Sequence, residues 1–292
     1  MLGLILSSCK SSIPEGPEIC TEVNLLYLSK ASGNFDIYKN DLKGQETQLT
    51  TNPSWDWAPR WVTASQSLIY NAYENDTFKI QMMELDGKFI STLNEFDDYN
   101  VSSDGQWVIA QVKVGDFSRL VITDSFGSDS VAITGADSYN GRAVWSPDAS
   151  QLIYISDRDG NNEVYHYDRN SALTTRLTEN ETVEKYLTWA PDNKRIAYTT
   201  EYYEEGKPDR NDVFVLDLST KEVIQITDNP YEDSEIAWSP LGDKIAFHSK
   251  RDSIDHIFLM NSDGTGVEQV TTAQTYHGEP AWAYWEVDCE KK

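Results

Sequence analysis

Residues 143–180 of this 292-residue chain, AVWSPDASQLIYISDRDGNNEVYHYDRNSALTTRLTEN, contain four short segments that are typical of β-strands. Two apolar runs, Leu152–Ser156 and Val164–Tyr167, flank six turn-forming residues, so they are predicted to form a hairpin of buried strands. A strand at Arg142–Trp145 precedes the hairpin and ends at a Ser-Pro-Asp turn, because proline cannot continue the hydrogen-bond ladder. A fourth strand follows at Thr174–Thr178. The stretch therefore predicts a four-stranded sheet.

The same four-strand unit occurs six times along the chain. The anchor residues of its first strands are separated by 40, 44, 44, 49 and 44 positions: Trp61, Val101, Trp145, Trp189, Trp238 and Trp282. A repeat of about 40–45 residues with four strands is the sequence signature of a propeller blade. We therefore predict an all-β fold, a six-bladed β-propeller of four-stranded blades. Six matched units disfavour the alternative, a β-sandwich with accidental spacing.

The repeat begins and ends inside a blade. The chain starts with a second strand at Leu25 and ends with a first strand at Trp282, so blade one lacks an inner strand at its N-terminal end. Residues Pro280–Glu286 can supply that strand from the far end of the chain and leave no open edge. We predict a propeller over residues 24–288, after a signal or lipobox remnant at 1–9 and a tether at 10–23.

The chain is strongly acidic, with 48 Asp and Glu residues against 24 Lys and Arg and a formal net charge of −24. Nucleic acid is excluded as a main partner, because binding to a phosphate backbone needs clustered Lys and Arg. Two explanations of the acidity stay open. It either keeps an exported protein soluble or serves to recognise a cationic or metal-bridged partner.

The first ten residues, MLGLILSSCK, form an apolar run that ends in Leu-Ser-Ser-Cys and resembles the lipobox of bacterial lipoproteins. In that family the cysteine, here Cys9, takes the lipid and becomes the mature N-terminus. The resemblance implies a chain that is exported and lipid-anchored in the bacterial cell envelope, on the periplasmic or surface side of the outer membrane. The alternative is a chance cysteine after a few apolar residues.

The other two cysteines, Cys20 and Cys289, lie just outside the two strands that are predicted to close the ring. Closure brings these chain ends together, and an oxidising compartment permits a disulfide there. Because its loop spans nearly the whole domain, the chain-entropy model gives a stabilisation of roughly 4–5 kcal/mol. Two free thiols on mobile tails are the alternative.

Three segments, WSPD at 145–148, WAPD at 189–192 and WSP at 238–240, resemble the TolB-type propeller repeat, a WD-repeat-like unit. Similar blades occur in TolB of the Tol–Pal envelope system, in prolyl-oligopeptidase-like enzymes and in oligogalacturonate lyases. TolB has an α/β domain before its propeller, and the propeller docks a peptidoglycan-associated lipoprotein. The resemblance implies a scaffold or receptor role in the envelope, with a lipid anchor in place of the α/β domain.

Motifs of two hydrolase classes are missing from the sequence. There is no Gly-x-Ser-x-Gly nucleophile elbow and no His-Glu-x-x-His motif. The histidines fall in different blades or strand positions, and His166 and His248 are predicted to be structural. We therefore predict a non-catalytic protein without a required cofactor. The alternative is a metal-dependent lyase or hydrolase acting on acidic sugars, as in oligogalacturonate-lyase-like propellers, which needs several ligands converging on one ion.

The loops before the first strands are predicted to converge on one mouth of the central channel, and each carries an aromatic and a polar or acidic residue. The candidate ligand-binding residues are Asp56, Trp57, Asp98, Tyr99, Tyr186, Tyr231, Asp233, His277 and Glu279. Rigid aromatic anchors among carboxylates favour binding of a protein, peptide or glycan by a monomer whose only membrane contact is its lipid. A divalent cation such as calcium is a candidate ligand of this mouth. Alternatively, the aromatic residues are wedges between blades.

Overall fold

The computed structural model describes residues 19–74, 77–93, 98–124, 129–202 and 210–288, and every regular element in them is a β-strand. In chain order these are β1 (Ile19–Ser29), β2 (Asp36–Asn40), β3 (Glu46–Gln48), β4 (Asp56–Val62), β5 (Ser67–Glu74), β6 (Thr77–Met83), β7 (Phe89–Leu93), β8 (Asp98–Val101), β9 (Trp107–Val114), β10 (Phe117–Asp124), β11 (Ser130–Ala132), β12 (Asn140–Trp145), β13 (Gln151–Ser156), β14 (Glu163–Asp168), β15 (Leu173–Arg176), β16 (Val183–Trp189), β17 (Arg195–Tyr202), β18 (Arg210–Asp217), β19 (Val223–Gln225), β20 (Asp233–Trp238), β21 (Lys244–Arg251), β22 (Ile254–Asn261), β23 (Glu268–Gln269) and β24 (His277–Asp288). These described ranges contain no helix long and apolar enough to cross a membrane.

The strands form six four-stranded antiparallel sheets, which confirms the predicted six-bladed propeller. Five blades are consecutive groups of four strands, from β4–β7 to β20–β23. Blade one has the order β24-β1-β2-β3, so the last strand of the chain supplies its inner strand. The predicted ring closure is confirmed.

The closing pair is longer than the sequence suggests. Strand β1 begins at Ile19, and its pairing with β24 runs from Ile19 opposite Asp288 to Ser29 opposite His277. Residues 19–23 therefore belong to the sheet and not to the tether predicted over 10–23, because β24 continues beyond Trp282 and offers them a full set of backbone partners.

The core lies in layers between neighbouring blades. Four of the anchor tryptophans are at least nine-tenths buried: Trp145, Trp189, Trp238 and Trp282. The indole N–H groups of Trp189 and Trp282 donate to the carbonyl oxygens of Val144 and Ala237 in the preceding blades, at 3.2 and 3.0 Å. All four therefore bury a large apolar surface, and Trp189 and Trp282 also join two blades by a hydrogen bond.

A β-bulge interrupts the first strand of five blades shortly before the anchor. The pairing register shifts between Trp57 and Arg60 in β4, and equivalent shifts occur in β12, β16, β20 and the β1–β24 pair. At four of these bulges the third residue before the anchor has a positive φ between 48° and 54°: Ala58, Arg142, Glu235 and Glu279. A bulge re-aims side chains, so this residue faces a direction that an unbroken strand would not give it.

Candidate functional site

The central channel opens at one end into a cavity of about 430 Å³, which we call the mouth cavity. Every blade contributes to its wall the third residue before its anchor: Ala58, Asp98, Arg142, Tyr186, Glu235 and Glu279. We call this place in the repeat the lining position. One structurally equivalent place thus carries six side chains of different chemistry around one opening.

The three carboxylates at the lining position each accept a hydrogen bond from the next blade. Asp98 Oδ2 accepts from the backbone N–H of Arg142 at 3.2 Å, and Glu235 Oε2 accepts from the N–H of Glu279 at 2.7 Å. Glu279 Oε2 accepts from the N–H of Ala58, across the junction between blades one and two. Charge-assisted bonds of this kind are stronger than neutral ones, so they hold the mouth in shape.

Two arginines also line the mouth cavity. The guanidinium carbon of Arg142 lies 4.5 Å from the ring centroid of Tyr186. Arg60 lies 5.5 Å from the ring centroid of Tyr99, and its Nη2 is 3.7 Å from Asp98 Oδ1. The mouth therefore carries two guanidinium groups beside three carboxylates and is not uniformly acidic.

The carboxyl of Glu279 is in the most perturbed environment of the mouth. Burial, followed by repulsion from Glu235, raises its pKa to about 7, although the Ala58 N–H and the charges of Arg60 and Arg142 act in the opposite direction. Burial and the same two glutamates raise the pKa of the Tyr276 hydroxyl. The charge of the mouth therefore changes close to neutral pH.

Four of the nine residues predicted from the sequence line the cavity: Trp57, Asp98, Tyr186 and Glu279. Three others, Asp56, Asp233 and His277, stand two residues before the lining position and are fully buried. Asn52 and Asn229 each donate through Nδ2, at 2.7 Å, to Asp56 Oδ2 and Asp233 Oδ2. These carboxylates therefore fix the loops that lead into the first strands.

The same loop contact recurs in two further blades. Asn180 Nδ2 donates to Glu184 Oε1 at 2.7 Å, and His277 Nε2 lies 3.2 Å from the carbonyl oxygen of Ala273. Burial raises the pKa of Asp56 to about 6 and that of Glu184 to about 7. A side chain with a partner four residues earlier is thus a structural feature of this repeat.

The remaining two predicted residues, Tyr99 and Tyr231, do not line the mouth cavity. Tyr99 is buried and packs with Ile80 and Val108 between blades two and three, as the wedge alternative describes. Tyr231 is more than one-third exposed, and its ring centroid is 4.9 Å from the guanidinium carbon of Arg251. The predicted aromatics therefore divide into wedges, wall residues and exposed residues.

Sequence reasoning missed Arg60, Arg142 and Glu235 in the wall of the cavity. For Arg142 and Glu235 the available signal was the distance from the anchor, since they stand three residues before Trp145 and Trp238, whereas Arg60 directly precedes Trp61 and does not share this signal. Counting back from the anchors, instead of collecting the nearest aromatic and acidic residues, identifies all six lining positions.

An aromatic surface adjoins the mouth on blades one and two, and we call it the aromatic ridge: Phe35, Trp55, Trp57, Tyr73 and Phe78. Trp55 and Phe78 are 58% and 62% exposed. The ring centroids of Phe35 and Trp55 are 5.8 Å apart, those of Trp57 and Phe78 are 5.6 Å apart, and both pairs meet edge to face. The ridge offers apolar contact area directly beside the polar cavity.

The floor of the mouth cavity is apolar. Five apolar residues, Pro59, Val144, Leu187, Ile236 and Pro280, line both this cavity and a second one of about 290 Å³ further along the channel, and so does Arg60. The two cavities are therefore consecutive parts of one channel, which is more polar at the mouth than below it.

Metal-ligating residues do not cluster in the part of the chain that the structure describes, since it has no group of three or more His, Cys, Asp or Glu placed to hold a metal ion. Binding of calcium or another divalent cation at the mouth stays a prediction. Cys9 and Cys289 lie outside the described residues, whereas Cys20 pairs with Val287 in the closing strands.

Residues 59–207, just over half of the chain, match the family model of the TolB beta propeller domain. The chain is also similar to the crystal structure of TolB from Acinetobacter baumannii, with 20% identity and a TM-score of 0.72. That match covers 89% of this chain and 66% of TolB, so this chain spans slightly less than two thirds of TolB's length.

Two further solved structures have the same fold. Oligogalacturonate lyase from Vibrio parahaemolyticus is 15% identical, with a TM-score of 0.57 and coverage of 85% of this chain and 74% of the lyase. A chain of the nidogen–laminin complex is 10% identical, with a TM-score of 0.69 and coverage of 89% and 98%. At these identities the similarity shows a shared fold, and the fold alone does not decide between binding and catalysis.

Proposed function

This chain belongs to the TolB β-propeller domain family, and we propose that it is a non-catalytic protein of the bacterial cell envelope whose channel mouth binds a protein, peptide or glycan partner. The observation that carries the proposal is the mouth cavity, where every blade contributes one side chain beside an exposed aromatic ridge. A concave polar site next to exposed aromatic rings is typical of recognition surfaces.

The rigidity of the mouth supports a role in binding. Asp98, Glu235 and Glu279 hold neighbouring blades together through backbone N–H groups, so the cavity keeps its shape without a ligand. A preformed site loses less conformational entropy on binding than a flexible one. The mouth is therefore suited to capturing a partner that docks onto the end of the channel.

Attachment to a membrane through a lipid on Cys9 and a location in the envelope are part of this proposal. So is a disulfide between Cys20 and Cys289, which the pairing of Ile19 with Asp288 supports because it places the strand that carries Cys20 beside the residue that precedes Cys289. Mass spectrometry before and after reduction tests the bond, and two alkylatable thiols in the unreduced folded protein would contradict it.

Thermal-shift measurements against purified envelope proteins, peptides and glycan fragments test the proposed function, because a ligand that binds only the folded state raises the unfolding temperature. Trp57→Ala should abolish the shift produced by a true partner. The controls Lys43→Ala and Asp263→Ala, in turns at the opposite end of the blades, should preserve it. A partner whose shift is lost only in the two control variants would contradict a binding site at the mouth.

A metal-dependent lyase acting on acidic sugars is the second candidate. Its supporting observation is the pair of arginines in the mouth cavity, since guanidinium groups bind sugar carboxylates. Incubation with oligogalacturonate and manganese, followed by ultraviolet absorbance of unsaturated products, tests it. Product formation that depends on both the metal and Arg142 would replace the binding proposal by this one.

A further inference from the structure

The acidic and basic side chains of the mouth differ in what they already bind. Asp98, Glu235 and Glu279 each accept a backbone N–H from the next blade. The guanidinium of Arg142, by contrast, is exposed, stacks on Tyr186, has a polar contact with the Tyr139 hydroxyl and forms no ion pair with any residue in the described ranges. The carboxylates are thus engaged in holding the ring, whereas Arg142 presents its charge to the cavity.

Arg60 also has donor capacity left. Its contact with Asp98 Oδ1, at 3.7 Å, is longer than a hydrogen bond, and its Nε is buried without a hydrogen-bond partner among the described residues. The Arg60 side chain is about one-third exposed, so the outer part of its guanidinium, rather than the buried Nε, is available to a ligand oxygen. Two guanidinium groups with free donors in one cavity favour a ligand that carries a planar anion.

We infer that Arg142 and Arg60 recognise the C-terminal carboxylate of a peptide whose last side chain is apolar. This inference rests on the proposed function and names the chemistry of the partner. The terminal carboxylate binds the two guanidinium groups, and the last side chain lies against the apolar floor at Leu187 and Ile236. The preceding residues leave the cavity over the aromatic ridge.

The apolar floor favours a peptide end over an acidic sugar. A uronate ring also offers a carboxylate, but its hydroxyl groups would gain no hydrogen bonds from the apolar side chains of the floor, among them Pro59, Leu187, Ile236 and Pro280. A leucine or valine side chain gains free energy in the same place. Capture of a C-terminal carboxylate is also a common mode of peptide recognition.

Calorimetric titration with an equimolar library of N-acetylated tripeptides that end in leucine, valine or phenylalanine tests the inference. The library is prepared once with free carboxylates and once as C-terminal amides. The free acids should bind at least about tenfold more tightly than the amides, since a bond to a charged group is lost in the amide. Arg142→Gln should weaken the binding of the free acids by about the same factor and leave the affinity for the amides unchanged.

Arg169→Gln is the matched control, because Arg169 also stacks on an aromatic ring, that of Trp107 at 3.7 Å, but follows β14 at the opposite end of the blade. It should leave acid binding unchanged. Equal affinities for acids and amides, absence of binding by both, or an unchanged affinity in Arg142→Gln would each overturn the inference. So would galacturonate trimers that bind more tightly than the peptide acids.

The two proposals fail in different ways. An envelope protein that shifts the unfolding temperature through Trp57 while the acids and amides bind equally would overturn the carboxylate inference and leave the mouth as a docking site. If no envelope ligand shifted the unfolding temperature, the proposed function would instead be contradicted, whether or not the peptides bind.

Discussion

Two places in the repeat, only two residues apart on the first strand, have opposite characters. The fifth residue before the anchor, which we call the buried position, is polar and fully buried in five blades: Asp56, Asn140, Glu184, Asp233 and His277. The lining position holds alanine, aspartate, arginine, tyrosine and two glutamates around an open cavity. The buried position, which is polar in all five of these blades, stabilises the blade. The lining position, which differs from blade to blade, gives the cavity of this propeller its own chemistry.

The bulge is what separates the two places. In an unbroken strand, residues two apart point to the same face of the sheet, so both places would point to the same side of the blade. The register shift and the positive φ at Ala58, Arg142, Glu235 and Glu279 change this alternation. A single extra residue thus allows one strand to hold its entry loop and to line the channel.

The largest expected effect is at the buried position. Asp233→Ala removes the acceptor of Asn229 Nδ2 at 2.7 Å and of Ser249 Oγ at 2.6 Å, both inside blade six. We expect the free energy of unfolding in urea to fall by about 3 kcal/mol, because two donors lose their buried partner. Glu235→Ala, two residues further on, removes one acceptor at a half-buried site and should cost about 1.5 kcal/mol. Equal losses would show that the two positions do not differ.

A smaller loss is expected when only the partner in the loop is removed. Asn52→Ala takes away the 2.7 Å hydrogen bond to Asp56 Oδ2, and Asp56 Oδ1 has no hydrogen-bond partner among the described residues. The unfolding free energy should fall by about 2 kcal/mol, since a buried carboxyl is left with less compensation. Asn170→Ala, in an exposed turn, is the control and should be neutral. Unchanged stability of Asn52→Ala would show that the loop contact is not needed.

The number of blades, their four strands and the closure by β24 could all be predicted, because the spacing and phase of the Trp-containing repeat depend on the sequence alone. The assignment of Asp56, Asp233 and His277 to a cavity could not be made correctly, since proximity to a first strand does not reveal the bulge. The asparagines four residues before Asp56, Glu184 and Asp233 were a readable sign of a structural role. The acidic composition of the chain gave no sign that two arginines line the mouth cavity.

The pH dependence of stability should distinguish the lining position of blade one from its neighbours. The pKa of Glu279 rises from 4.5 in the unfolded chain to about 7 in the folded protein. The folded state therefore binds the proton more tightly, and stability falls as pH increases between about 4.5 and 7.

Glu279→Gln should make the loss of stability with rising pH smaller by an amount on the order of 1–2 kcal/mol. Glutamine stays neutral at every pH and still accepts from the Ala58 N–H. The groups that set the effect face Glu279 from three other blades: Glu235, Arg60 and Arg142. Urea unfolding at pH 5 and pH 8 measures it, with the exposed Glu286→Gln on the same strand as control. The same slope in wild type and in Glu279→Gln would contradict the assignment.

The smallest change in stability is expected for a substitution at Arg142, and a small change there would indicate that the lining position serves binding and not folding. Arg142 is exposed, its structural hydrogen bond to Asp98 comes from its backbone N–H, and its side chain adds a stacking contact with Tyr186 and a polar contact with the Tyr139 hydroxyl. Arg142→Gln keeps the backbone donor, so the free energy of unfolding should stay within about 0.5 kcal/mol of the wild type. The same variant is expected to lose most of its affinity for peptide carboxylates. A loss of stability comparable to that of Asp233→Ala would mean that Arg142 holds the blades together. The distinction between a buried position that stabilises the fold and a lining position that binds a ligand would then be wrong.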